Sequence, residues 1–90
     1  MVPWHLVACE ARRDFSLAVR FAGGLTGVVD MRPLLARPDL GGTVFGPLRD
    51  LDMFMRARVE HGAVTWPNGA DLAPDAMHDA IAARGAWQPA

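Results

Sequence analysis

The sequence predicts one α+β domain over residues 1–90, built as a three-stranded antiparallel meander, a short helix, a second β-hairpin and a C-terminal helix. Three observations lead there. Phe15, Leu17, Val19 and Phe21 alternate with Ser16, Ala18 and Arg20, the period of two that marks a strand with one buried face. In "ARVEHGAVTW" two apolar alternations flank His61-Gly62, the pattern of a hairpin. Near the C-terminus Ala76, Met77, Ala80 and Ile81 recur at helical spacing ahead of Gly85.

The elements follow in chain order. "WHLVACE" reads as the first strand, with Arg12, Arg13 and Asp14 as the turn into the second. Gly23-Gly24 then makes a two-residue hairpin turn into a third strand ending near Asp30, which sets Val19 opposite Val28 on the buried face. Asp30 is placed to cap a short helical turn carrying Pro33, Leu34 and Leu35, and Pro38, Gly41 and Gly42 make a loop. Pro47 suits the first turn of a helix over "GPLRDLDMFMRA", with Leu48, Leu51, Phe54 and Met55 on its apolar side. In the second hairpin a two-residue turn pairs Glu60 with Ala63, Val59 with Val64 and Ala57 with Trp66. The last two pairs then share an apolar face. The final helix runs from Leu72 or Pro74 to Arg84.

Composition excludes several kinds of function. The chain is 51% hydrophobic and 21% charged, as a folded protein is, with a formal net charge of −1. Its charges alternate in sign and form no basic stripe, so direct nucleic-acid binding is not expected. All nine basic residues are Arg. The absence of Lys removes Schiff-base and P-loop lysine chemistry. Cys9 is the single cysteine, so neither an intrachain disulfide nor a thiolate-based zinc site can form within one chain, and a buried, inert thiol is expected. "MVPWHLVACEARR" carries no basic leader, and no segment reaches the roughly 20 apolar residues of a membrane span, which gives a cytoplasmic protein with no membrane contact as the expectation.

The densest unusual chemistry lies in "TWPNGADLAPD". As scaffold, Trp66 ends the hairpin on its apolar face, Pro67 presets a turn, and Asn68 or Gly69 accepts positive φ. Asp71 caps the last helix or binds the loop's own amides, Pro74 sits in the first helical turn, and Asp75 complements the helix dipole. As a functional loop made of Trp66, Asn68, Gly69, Asp71 and Asp75, it would set Asn68, Asp71 and Asp75 as a polar pocket beside Trp66.

"FAGGLTGVVDM", "VFGPLRDLDMF" and "VTWPNGADLAPDAM", in that order, resemble the bacterial domain of unknown function family 2442 from about Phe15 to Met77. Its closing motif is matched by Trp66, Pro67, Asn68, Gly69, Asp71, Leu72, Pro74 and Asp75. The chain departs at Gly23, where the family usually has Asp, and in extra residues around Arg37 to Thr43. The resemblance implies a small α+β domain without an established activity. Such domains sometimes stand beside a helix-turn-helix DNA-binding domain, or beside another small protein in a toxin–antitoxin-like pair. Residues 1–90 leave no room for an appended DNA-binding domain, so such a role would need a partner.

Other constellations weigh less. Asp75, His78 and Asp79 share one helical face but lack further ligands at a diagnostic spacing, so no metal site is expected. No nucleophile elbow surrounds Cys9 or Ser16, and His5, His61 and His78 fall on separate elements, so no catalytic residue and no cofactor are assigned. The expected function is that of a non-enzymatic protein-interaction or regulatory module, one half of a toxin–antitoxin-like two-protein system. The alternative is a small-ligand binder or enzyme using the Trp66–Asp75 loop. The expected contact is with a protein partner or a second copy, through an uncovered sheet edge or a surface carrying Trp4, Leu6 and Trp87.

Overall fold

The computed structural model describes residues 4–89. Strands β1 (Leu6–Ala11), β2 (Ser16–Phe21) and β3 (Thr26–Asp30) form the expected antiparallel meander. Helix α1 (Arg32–Leu35), single 3₁₀ turns at Pro38–Gly42 and Gly46–Arg49, and helix α2 (Leu51–Phe54) lead to the hairpin of β4 (Arg58–Glu60) and β5 (Ala63–Thr65). Helix α3 (Pro74–Arg84) and a two-residue strand β6 (Ala86–Trp87) complete the described chain, an α+β architecture. The larger sheet has the order β1-β2-β3-β6, and β4-β5 is a separate pair. No described helix is long and apolar enough to cross a membrane.

Alternation along β2 works as expected. Leu17, Val19 and Phe21 enter the core with Val29, while Arg20 stays exposed. The register with β3 differs by one residue from the two-residue-turn expectation. Val19 lies opposite Gly27 rather than Val28, and Val28 lies opposite Ala18. The cause is the turn. Phe21 N donates to Leu25 O (2.8 Å) and Gly24 N to Phe21 O (2.9 Å), and Gly24 alone takes a positive φ in this loop. A two-residue turn of the favoured type needs positive φ at both central positions, whereas a three-residue turn needs it at one. The shift puts Gly27 on the core face, where α3 comes closest. A Cβ there would lie 2.5 Å from Ile81 Cγ2 and 2.9 Å from the Gly85 carbonyl. Met77, Ala80 and Ile81 are the buried residues of α3, and Gly85, in the left-handed region, donates its amide to Ile81 O at 2.7 Å to end the helix.

The second hairpin has the predicted register, with Val59 opposite Val64 and Glu60 opposite Ala63. His61 (φ +52°) and Gly62 (φ +78°) supply the two left-handed residues of its turn. This hairpin lies beside β1. Leu6 N donates to Gly62 O at 2.9 Å, so the expected open edge of β1 is covered at Leu6.

The predicted helix over "GPLRDLDMFMRA" is two separate turns. Asp50 is extended (φ −76°, ψ 118°) between them, and its carboxylate accepts from Asp52 N to start α2. Leu48 and Phe54 are buried, whereas Met55, expected on the apolar side, is exposed. Strand β6 was not anticipated. It runs parallel to β3 with Trp87 opposite Val29. The core therefore occupies one face of the larger sheet. Ala8, Glu10, Ala18, Arg20, Thr26 and Val28 line the other face and are half-buried or exposed.

Candidate functional site

The Trp66–Asp75 loop begins as a continuation of β5. Trp66 N donates to Ala70 O (2.9 Å), Gly69 N to Trp66 O (3.0 Å), and Leu72 N to Val64 O (3.1 Å), and Thr65 bridges Asp71. Gly69 holds the left-handed position at φ +92°. The indole of Trp66 is buried, with Nε1 donating to Phe54 O at 3.0 Å and its ring 5.9 Å from that of Phe54. Asn68 uses both ends of its amide: Nδ2 donates to Val44 O (2.8 Å) and Oδ1 accepts from Ala70 N (3.2 Å). It thereby ties the turn to the loop that precedes the Gly46–Arg49 turn.

The acids behave differently from the capping expectation. Ala73 occupies the N-cap of α3 and no side chain caps it. The chain stays extended through Ala73 (φ −66°, ψ 112°), and Asp71 is held one strand-bridge away by Thr65. Pro74, at the first helical position, lacks an amide proton that would have been unpaired there. Asp71 is exposed, and Asp75 accepts from Ala76 N at 2.9 Å. The loop thus presents two solvated carboxylates around an indole and an amide already engaged in the scaffold. Among the described residues no three His, Cys, Asp or Glu side chains are grouped to hold a metal ion.

Trp4, Leu6 and Trp87 are dispersed. Trp4 is 43% exposed ahead of β1, Leu6 is in the core, and Trp87 is half-buried on β6 at the opposite edge of the sheet. Val7, at 51%, is the large apolar side chain that β1 shows to solvent. Burial pushes the Cys9 thiol above its ordinary pKa. His78 packs edge-on against Phe21 with ring centroids 4.9 Å apart.

A second arrangement was not visible as a site in the sequence. Arg12 N donates to Ser16 O (2.9 Å) and Phe15 N to Arg12 O (3.1 Å), the same turn as at Trp66–Ala70, with Phe15 at φ +63° in the glycine position. Asp14 braces it by accepting from the amide and hydroxyl of Ser16, 3.1 and 2.6 Å away, and the hydroxyl bond is the chief cause that lowers the Asp14 pKa. Phe15 packs on Phe54, centroids 5.1 Å apart, and with Leu35, Ala36, Arg32 and Arg49 bounds a hollow of about 240 Å³. Arg32 is paired with Asp30 at 2.9 Å, and this bond is the main cause that lowers the Asp30 pKa. The available signal was a hairpin turn, "RRDFS", that lacks Gly or Asn where the left-handed residue must fall.

No curated protein and no solved structure matches the chain. Residues 6–83 match the model of a family described as protein of unknown function (DUF2442), and the chain belongs to that family.

Proposed function

We propose that this chain is a non-enzymatic protein-interaction or regulatory module, one half of a toxin–antitoxin-like two-protein system in the cytoplasm. The observation that carries the reading is the fate of the polar groups in the Trp66–Asp75 loop. The indole N–H and both ends of the Asn68 amide, the groups best suited to orient a substrate, hydrogen-bond the protein's own backbone. A reacting site needs donors aimed at the substrate instead. Among the described residues no element covers one face of the larger sheet, where small apolar residues alternate with Glu10 and Arg20. Such a mixture suits a protein surface better than a nucleic-acid backbone.

Co-expression with the product of the adjacent gene, followed by size-exclusion chromatography with light scattering, tests the reading. The expected result is one peak whose mass is the sum of the two chains. Two separate monomer peaks at every concentration would contradict it.

A further inference from the structure

We infer that the hollow between Phe15, Leu35, Ala36, Arg32 and Arg49 is a docking site for a partner segment that inserts one apolar side chain and sets a carboxylate on Arg49. This rests on the interaction reading above and names its contact surface.

Charge comes first. The Arg49 guanidinium donates from Nε to Leu35 O at 2.8 Å and from Nη2 to Arg37 O. These carbonyls fix the group in place but are neutral, so they leave its charge uncompensated. The ion pairs among the described residues are Arg32–Asp30, Arg37–Asp39 and Arg58–Glu60, and Arg49 takes part in none of them. Asp50, its neighbour in sequence, accepts from Asp52 N instead. An immobilised guanidinium with free N–H groups on Nη1 favours a carboxylate over any neutral acceptor.

Size and lining decide the rest. At about 240 Å³ the hollow falls below the roughly 300–1,000 Å³ typical of cofactor and small-molecule sites, so it holds a single side chain rather than a cofactor. Phe15 forms an aromatic wall, held against Phe54 on the core side, and Leu35 and Ala36 supply aliphatic surface. An aromatic side chain packs there with its ring offset or edge-on to Phe15. Arg32 already holds Asp30 through Nε (2.9 Å) and Nη2 (3.1 Å), which leaves Arg49 as the group that selects for the acid.

The probe pair is acetyl-Phe-Glu-amide and acetyl-Phe-Gln-amide, titrated into the ¹⁵N-labelled full chain. The acidic peptide is expected to shift the amides of Phe15 and Ala36 and the Arg49 Nε–H along one saturable curve, and to bind about tenfold more tightly than the Gln peptide. Arg49→Gln should remove that preference. Because Arg49→Gln also loses two backbone contacts, Ala36→Glu serves as the second variant: it leaves Arg49 in place and fills the hollow with a carboxylate, and it should abolish binding. Equal affinity for the two peptides, shifts spread over Arg12, Arg20, Arg56 and Arg84, or undiminished binding to Ala36→Glu would overturn the inference. Phenylacetate binding as tightly as the acidic peptide would overturn the protein source of the ligand. A complex with the neighbouring gene product that is unaffected by Ala36→Glu refutes the hollow alone. Selective peptide binding without any such complex refutes the two-protein reading alone.

Discussion

In both the Arg12–Ser16 and the Trp66–Ala70 turns the first amide donates to the carbonyl four residues on, at 2.9 Å in each, and the fourth residue takes a positive φ. That residue is Gly69 at +92° in one turn and Phe15 at +63° in the other. Nothing lies within 4 Å of where a Cβ on Gly69 would stand, so glycine is there for its backbone alone. Phe15 occupies a conformation that disfavours any L-residue with a side chain, by roughly 1–2 kcal/mol. Its ring is fixed against Phe54 and its carbonyl accepts from Met31 N at 3.0 Å. The turn with conspicuous chemistry in its sequence has its indole and amide tied to the backbone, and the turn with unremarkable chemistry carries strain beside Arg49, which takes part in none of the ion pairs among the described residues. Strain of this kind persists where the surroundings over-determine it, and it concentrates at binding sites.

The largest expected effect lies on the scaffold side of the comparison. Trp66→Ala removes a buried indole that fills the core and satisfies Phe54 O, and should destabilise the fold by about 3–5 kcal/mol in urea denaturation. A loss near zero would mean that the loop is not the structural tie described here. The smallest expected effect concerns the acid beside it. Asp71→Ala should change stability by no more than about 0.5 kcal/mol, since Asp71 caps nothing and is exposed. A larger loss in the same denaturation assay would restore the capping role that the sequence implied.

Much of this was legible in the residues, for a physical reason in each case. The β4-β5 register could be read because one alternation in each strand and a turn pair that tolerates two left-handed residues agree on a single pairing. The end of α3 could be read because Gly85 acts locally, and its start was narrowed to Leu72 or Pro74, of which the structure has Pro74. The β2-β3 register could not: Gly23-Gly24 satisfies both a two- and a three-residue turn, and the three-residue form sets Gly27, which has no Cβ to meet Ile81, on the core face. The break at Asp50 had a local signal, an Asp able to cap a new helix start, that the apolar spacing across it masked; the pairing of β6 with β3 is a tertiary outcome, since Ala86-Trp87 carries no local signal for it. The Trp66–Asp75 residues were identifiable as a group, but their partners, Val44 and Phe54, lie too far along the chain to infer. The hollow at Phe15 was hidden because its lining comes from three separate segments.

The strain at Phe15 is the point on which the contrast between the two turns depends, and a pair of substitutions measures it directly. Both Phe15→Ala and Phe15→Gly delete the ring, and only Phe15→Gly relieves the positive φ. Urea denaturation of the two variants should therefore show Phe15→Gly more stable than Phe15→Ala by about 1 kcal/mol. The opposite order, with Ala ahead of Gly by the roughly 0.5–1 kcal/mol usual in regular structure, would contradict the account.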